Sequence, residues 1–369
     1  MKVAIDLTPL YSAHQFRGIG FYTKRLMEAM EEIAPQKGIE LEFVKSTDKL
    51  LFVDADIIHF PYFSPFFLTL PRKKLAKSVV TIHDLIPIKY LEHYPPGIRG
   101  RLRWEIQKRR LKKVEAVITD SEYWREEIPK LTGYPKEKIF VIPLAAGKEF
   151  KKLEIKKLRN LGIKEKYQLP DNFILYVGDV NWNKNVEGLI KALAKSKIQN
   201  PKSKIKIQNL KLVLVGKAFE DKSLKETQEI LQLISAKGGS ATGGKELNLI
   251  NQTKILGYVP TEDLVAIYNL ATVFCLPSFS EGFGLPVLEA MACGCPVVAG
   301  KTSSLPEICG QAAVLVDPYD VNDIARGIIK AIENKENLIE SGFKQTAKFS
   351  WEKTANLTLE VYEKIYQQG

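Results

Sequence analysis

At 369 residues the chain is long for one domain and comfortable for two, each able to bury a full core. Hydrophobic residues at 45% and charged residues at 26% are the balance of an ordinary soluble globular protein. The net charge of +11 invites nucleic acid or an anionic membrane as partner, but no nucleic-acid recognition motif accompanies it, so nucleic acid is set aside. The four cysteines, Cys275, Cys293, Cys295 and Cys309, have neither zinc-site nor thioredoxin spacing and read as reduced, mostly buried residues.

The chain opens on a strand, residues 3–7, with no apolar leader before it, so a cytoplasmic protein is expected. A loop holding Arg17-Gly-Ile-Gly20 follows, then a helix over residues 21–33 with Tyr22, Leu26 and Met30 on one face. Strands are expected at 41–44, 57–60, 78–82, 116–119 and 141–143, with helical or irregular segments between. The most apolar segment, 57–70, is broken by His59, Pro61, Ser64 and Pro65 and is too short to span a bilayer. Such alternation predicts a doubly wound parallel sheet. His83, in Thr81-Ile-His-Asp84, falls just past a buried strand, at the sheet edge where ligands bind in open α/β folds. On its own such a histidine is more often a structural one bonded to the backbone, and Asp84 would orient the loop or cap the next element. Ser121 reads as the N-cap of a helix carrying Trp124 and Ile128.

Two basic clusters stand out, Arg72 to Lys77 and Arg99 to Lys113. The second is expected to be a helix making its apolar contacts through Ile98, Leu102, Ile106 and Leu111. Its charge suits a solvated outer face or docking on acidic lipid headgroups.

The polar, lysine-rich run from Gly147 to Asp171 is the expected interdomain link. A new strand at 173–178 leads into the loop Asp179-Val-Asn-Trp-Asn-Lys184-Asn185 and a helix through Val186, Leu189, Ile190 and Leu193. A strand at 212–215 lies between two irregular stretches, 195–211 and the Gly/Ser-rich 236–244, read as a surface loop. A strand at 255–259 and a helix over 262–269 then lead to the most informative segment of the chain.

That segment runs from a buried strand at 271–276, closed by Pro277, through a loop with Gly282 and Gly284 into a short helix. Pro286 suits the helix's first turn, Gly294 the position just past its end, and a second apolar strand, 296–299, follows. A glycine-rich loop at a helix mouth lets backbone N–H groups approach an anion, and the helix dipole favours negative charge. Glu281 stands before the helix and Glu289 eight residues on, about 12 Å along an α-helix. That exceeds the ~5–9.5 Å between carboxylates flanking one glycosidic bond in a hydrolase. The pair fits two parts of one long ligand, a nucleotide sugar with sugar and phosphates at the loop and ribose down the helix. A lone pair of this spacing would more simply be one solvated and one capping glutamate; its company, Glu-Gly-Phe-Gly-Leu-Pro, favours the ligand. Beyond it a helix over 321–334 and a last helix follow, the latter capped by Ser350 with Ala355, Leu359, Tyr362 and Tyr366 on one face.

The run from Ser280 to Val298, with Ser304-Leu-Pro-Glu-Ile to Pro318 after it, resembles the signature of the retaining family-4 glycosyltransferases of GT-B fold, and the resemblance covers essentially the whole chain. It implies an α/β protein of two Rossmann-like doubly wound domains facing a central cleft. The domains expected are 1–150 on the acceptor side, 151–347 binding the nucleotide sugar, and a helix at 348–369 crossing back to the first. Glu281 would bind the transferred sugar and steady positive charge at its anomeric carbon. Glu289 would accept from the ribose hydroxyls. Lys184, with the N–H groups of Gly282, Phe283, Gly284 and Leu285, would hold the phosphates and sugar. Gly18 would let the backbone approach donor phosphates or acceptor, and His83 would face the donor from the other domain. The family's arginine directly after the glycine is replaced by Asp179, leaving the second phosphate charge to the helix at Asn185, loop N–H groups or another basic residue.

The reading is a metal-independent retaining transferase using no cofactor beyond its nucleotide-sugar donor. GDP-mannose is the first donor and a UDP-hexose the second, with a hydroxyl of a glycan or lipid-linked molecule as acceptor. Asp54-Ala-Asp56, the one Asp-x-Asp pattern weighed as a metal clamp, precedes a strand away from the donor motifs. The protein is expected in the cytoplasm, with contact at the inner face of the membrane as the further option. The rivals are a nucleotide-sugar epimerase of similar architecture and a non-catalytic basic binding protein on a degenerate transferase core.

Overall fold

The computed structural model describes residues 1–12, 18–46, 50, 53–73, 75–196, 210–235 and 249–368. Arg17, Lys74 and most of the two irregular stretches at 195–211 and 236–244 lie outside them. The chain divides into two compact units, Met1–Ala145 together with Phe349–Gly369, and Ala146–Lys348. The first boundary thus falls after Ala145, several residues before the expected 150, and the C-terminal segment belongs to the first unit.

The first unit is built on strands β1 (Lys2–Asp6), β2 (Glu40–Val44), β3 (Ile57–Phe60), β4 (Lys77–Thr81), β5 (Ala116–Thr119) and β6 (Ile139–Val141), with helices α1 (Gly18–Ile33), α2 (Ile86–Lys89), α3 (Gly97–Leu111) and α4 (Glu122–Thr132). The sheet order is β2-β1-β3-β4-β5-β6, every pairing parallel. Strands such as Ile57–Phe60 are buried throughout, as strands of a parallel sheet covered on both faces are. Ser121 caps α4 by accepting from the N–H of Trp124, and Trp124 and Ile128 are fully buried. The C-terminal helix, Trp351–Gln367, starts on a Ser350 cap and packs against α1. Ala355, Leu359 and Tyr362 are buried as its face predicted, whereas Tyr366 is half exposed where the helix runs out. Lys77 donates to the carbonyls of Ile365 and Tyr366, placing a cation at the negative end of that helix.

Helix α3 corrects the sequence reading. Its buried positions are Gly100, Gln107 and Leu111, with Trp104 edge-on to Phe63. A Cβ on Gly100 would lie 2.7 Å from Pro96, so close packing claims the glycine instead of a side chain. Ile98 is 89% exposed and Leu102 63%, so the helix turns these aliphatic residues outward.

The second unit continues with α5 (Ile155–Asn160), α6 (Ile163–Lys166), β7 (Phe173–Val177), α7 (Val186–Ser196), β8 (Lys211–Val215), α8 (Lys225–Ser235), β9 (Thr253–Gly257), α9 (Thr261–Leu270), β10 (Val273–Leu276), α10 (Leu285–Ala292), β11 (Val297–Gly300), α11 (Leu305–Cys309), β12 (Val314–Val316), α12 (Val321–Glu333) and α13 (Lys335–Thr346). Part of the supposed link, residues 155–166, is therefore helical and part of this unit. The parallel order is β12-β11-β10-β7-β8-β9. From β7 the chain winds outward through β8 and β9, then returns to add β10 on the opposite side. That reversal opens a crevice beyond the carboxyl ends of β7 and β10, where ligands bind in such sheets. All four cysteines are buried, free thiols, and burial pushes each thiol's pKa up. Among the described residues no helix is long and apolar enough to cross a membrane.

Candidate active site

The loops leaving β7 and β10 carry Lys184 and Glu281, and the structure brings the two side chains together. The Lys184 Nζ lies 2.9 and 2.8 Å from the two carboxylate oxygens of Glu281. Glu281 is only 5% exposed, and Ser278 donates to its Oε1 at 2.7 Å. A carboxylate this dry needs such partners, because an uncompensated buried charge is costly. The backbone around it is fixed as firmly. Its N–H donates to Ser303 Oγ at 2.8 Å, and Ser304 Oγ donates to the carbonyls of Glu281 and Phe283.

Two asparagines beside Lys184 tie the loops to one another. Asn183 donates to the Ser280 carbonyl at 2.8 Å while its own carbonyl accepts from Phe279. Asn185 stands in the left-handed region at φ +53°, a conformation asparagine tolerates better than most residues. Its side chain donates to the carbonyls of Pro277 at 3.0 Å and Pro318 at 2.7 Å, and its Oδ1 accepts from Gly188 in the first turn of α7. One side chain thereby joins the loops after β7, β10 and β12.

Gly284 turns the chain into α10 with φ +105°, and a Cβ there would meet Leu305 at 2.7 Å. Both facts require glycine. Phe283 is buried, Gly282 precedes it on the same turn, and Leu285 begins the helix, where the Val287 N–H donates back to the Gly284 carbonyl at 2.9 Å. Pro286 occupies the first turn, where it forfeits nothing, and Gly294 follows the end at φ +69°. Glu289, further down α10, is partly buried and accepts from the Tyr268 hydroxyl at 2.9 Å. Burial pushes its pKa up to about 7; the Tyr268 hydrogen bond pulls the other way and Glu149 adds to the rise. Asp179 donates no cation; its side chain accepts from the N–H of Val180, and its carbonyl takes the Tyr176 hydroxyl.

In the first unit His83 is the organised group. Its Nδ1 lies 2.7 Å from Asp120 Oδ2, and its ring sits edge-on to Tyr22 with centroids 4.6 Å apart. Burial pulls its pKa down, but the charge and hydrogen bond of Asp120, with help from Asp84 and the Pro61 carbonyl, outweigh it, and the net shift is upward. Its buried Nε2 makes no hydrogen bond of ordinary geometry among the described residues. Beneath lies a polar chain: Tyr362 OH to His59 Nδ1 at 2.6 Å, His59 Nε2 to Thr81 Oγ1 at 2.8 Å, and Thr81 to Tyr22 OH at 3.0 Å. Burial, reinforced by His83, pushes His59 down to about 3, so it stays neutral. Asp84 accepts from the N–H of Ile86 and heads α2, one of the roles its position allowed. Gly18, expected in a loop, is instead the first residue of α1, and a Cβ there would meet nothing within 4 Å. Asp56 accepts from the backbone N–H of Lys2.

The sequence reading missed Asp120, Ser278, Ser303, Ser304, Asn185 and Tyr268. Asp120 had a signal, since it follows a buried strand as His83 does. Ser303, Ser304 and Asn185 carry none in isolation, because they bond backbone atoms far away in sequence, and Ser278, three residues before Glu281, matters only once that carboxylate is buried.

The family model for glycosyl transferases group 1 matches residues 162–348, and that for glycosyltransferase family 4 matches residues 33–146. The serotype-specific mannosyltransferase WbdA of Escherichia coli is 32% identical over 298 residues, 79% of this chain and 34% of that protein. The O-antigen chain mannosyltransferase B of Escherichia coli is 32% identical over 295 residues, 79% of this chain and 71% of that protein. The chain thus spans about a third of WbdA and about seven-tenths of the second relative. Among solved structures, sucrose-phosphate synthase from Thermosynechococcus elongatus superposes with a TM-score of 0.73 at 21% identity over 100% of both chains. Anabaena HepE in complex with UDP-glucose gives 0.70 at 17% identity, again over 100% of both. Such distant likenesses establish the fold, two Rossmann-like units of GT-B type. The chain belongs to the glycosyl transferases group 1 family and is a family-4 glycosyltransferase.

Proposed function

We propose that the chain is a retaining hexosyltransferase of polysaccharide assembly. It moves mannose from GDP-mannose, or failing that a hexose from a UDP-sugar, to a hydroxyl of a glycan or lipid-linked acceptor. The observation that carries this reading is the Lys184–Glu281 pair at the mouth of α10, in the crevice where the strand order reverses. Both relatives described above are named as mannosyltransferases, which supports the sugar. HepE, named with UDP-glucose, supports the runner-up.

The chemistry places growing negative charge on a leaving pyrophosphate, so a preorganised cation and N–H groups directed at it lower the barrier. Lys184 and the first turn of α10, with Gly282, Phe283, Gly284 and Leu285, are those groups. Glu281, held by Ser278 and by its backbone ties, binds the transferred sugar and faces the positive charge that develops at its anomeric carbon. Glu289 accepts from the ribose hydroxyls, displacing or sharing the Tyr268 bond. His83, its ring oriented by Asp120, is the first unit's contribution to ligand binding in this reading; Gly18 opens the helix whose first-turn N–H groups suit an anion. Side-chain and backbone donors suffice in this account, so it is metal-independent and needs no cofactor. Incubating the chain with GDP-mannose and with UDP-glucose in EDTA, with a glycan acceptor, and following anomeric protons by NMR tests it. An α-linked product from the α-linked donor is expected; a β-linked product, or a strict need for added metal, would overturn it.

We also propose that the chain works at the inner face of the membrane. Ile98 and Leu102, one turn apart on α3, and Phe67 are all more than 60% exposed. Arg99, Arg101 and Arg103 accompany them, Arg103 lying over the Phe67 ring. Apolar anchors among arginines suit an anionic bilayer surface. Co-sedimentation with phosphatidylglycerol vesicles is expected, lost with phosphatidylcholine and weakened about tenfold or more in an Ile98→Ser, Leu102→Ser variant. Equal sedimentation of wild type and variant would dismiss the surface.

A further inference from the structure

Three aromatic rings form a ladder, two of them on the loops that carry Lys184 and Glu281. Trp182 stacks on Phe279 with centroids 4.8 Å apart and planes at 24°, and Phe279 stacks on Tyr319 at 4.6 Å and 29°. Each ring stands on a loop at the carboxyl edge of the second sheet, after β7, β10 and β12 respectively. Trp182 is two residues before Lys184, and Phe279 two before Glu281. Tyr319 is 64% exposed, so the stack carries aromatic surface out to solvent.

The outer ring is also held in place. The Tyr319 N–H donates to Asp317 Oδ1 at 2.9 Å, and Asp317 pairs with Lys301 at 3.1 Å. The adjacent Pro318 carbonyl is gripped by Asn185, the residue after Lys184. The ring is therefore indexed to the donor loops through one buried side chain. Flat apolar faces of this kind suit a pyranose, which has a patch of C–H groups on one face and hydroxyls around its rim. The C–H patch gains by leaving water for the ring while the hydroxyls remain hydrated.

We propose that the Trp182–Phe279–Tyr319 ladder is a sugar platform, its Tyr319 face stacking a pyranose ring of the glycan acceptor next to the site of transfer. The inference rests on the transferase reading of the Lys184–Glu281 site. It assigns the second unit a share in acceptor recognition, separate from the hydrogen-bonding groups that hold the donor.

Saturation-transfer difference NMR of methyl α-mannopyranoside and methyl α-glucopyranoside with the full chain tests it. The proposal expects saturation concentrated on the C–H face of at least one glycoside. Affinity should fall about tenfold in Tyr319→Ala, the scale of one ring contact, and equally in Tyr319→Leu, which keeps apolarity but not planarity. Tyr319→Phe should retain it. No saturation with either glycoside, or saturation that Ala and Leu leave intact, overturns the platform, as does a loss that GDP or UDP affinity shares equally. Nucleotide-induced stabilisation on the same samples keeps the two readings apart. Its absence in the wild type would sink the transferase reading, whereas intact nucleotide binding with silent glycosides sinks the platform alone.

Discussion

The two units use different windings and arrange their chemistry differently. Counted from its own first strand, the second unit has the order 3-2-1-4-5-6, and its charged pair sits on the two loops that flank the reversal. The first has the order 2-1-3-4-5-6, and its organised histidine follows β4, away from the reversal between β1 and β3. In the second unit a salt bridge is held by short hydroxyls and asparagine amides that bond the backbone. In the first, one imidazole is oriented by a carboxylate above a buried chain of Thr81, His59 and Tyr362, the last from the C-terminal helix. The second arrangement fixes charge; the first fixes a protonation state and a ring.

The largest effect separating these two designs is expected at Glu281. Glu281→Gln keeps the shape but loses the charge, and turnover should fall about 10²–10³-fold with donor affinity nearly intact. Equal collapse of donor affinity would make Glu281 a binding group.

A smaller loss is expected at Asp120. Asp120→Asn removes the charge that holds His83 upward, so the His83 pKa, read by NMR in a chain of four histidines, should drop. Turnover should fall about 10–100-fold, with the activity–pH profile moving alongside. An unchanged His83 titration would show that Asp120 does not set the protonation of the ring.

The smallest effect concerns Glu289. Its pKa, pushed up to about 7, lies above the unfolded value of 4.5, so the native state binds the extra proton between those two values. Its contribution to stability is full below the unfolded pKa and is lost as pH rises through about 7. Ribose hydroxyls need the carboxylate, so nucleotide affinity should run oppositely, tightening severalfold from pH 6 to 8. Calorimetric titration of Glu289→Gln should show weaker binding with that slope gone; a slope that persists would place the titrating group elsewhere.

How much of this was legible in sequence follows from the same contrast. Lys184, Glu281 and the glycine turn at Gly284 lie in two contiguous loops, so spacing and motif predicted them together, and strands such as β10 announced themselves as unbroken apolar runs. His83 was visible as a residue at a strand end, but Asp120 is 37 positions away, and only the pairing of β4 with β5 brings it there. Helix α3 misled for a different reason. Ile98 and Leu102 have the periodicity of a packing face, yet Gly100 and Gln107 take the buried side, since close approach to Pro96 and bonds to Ser64 and Thr69 decide it. Hydrophobic period marks an apolar stripe and leaves open whether protein or something else covers it.

The central claim is that the crevice between the β7 and β10 loops binds a nucleoside diphosphate sugar. Thermal unfolding of the full chain against GDP, UDP, ADP and their sugars, with and without EDTA, tests it most directly. A ligand at 100 times its Kd should stabilise by about 2.7 kcal/mol, a readable rise in Tm. The account predicts selective stabilisation by guanosine or uridine diphosphates, unaffected by EDTA and lost in Lys184→Ala. No shift with any nucleotide, or an equal shift in the Lys184 variant, would contradict it.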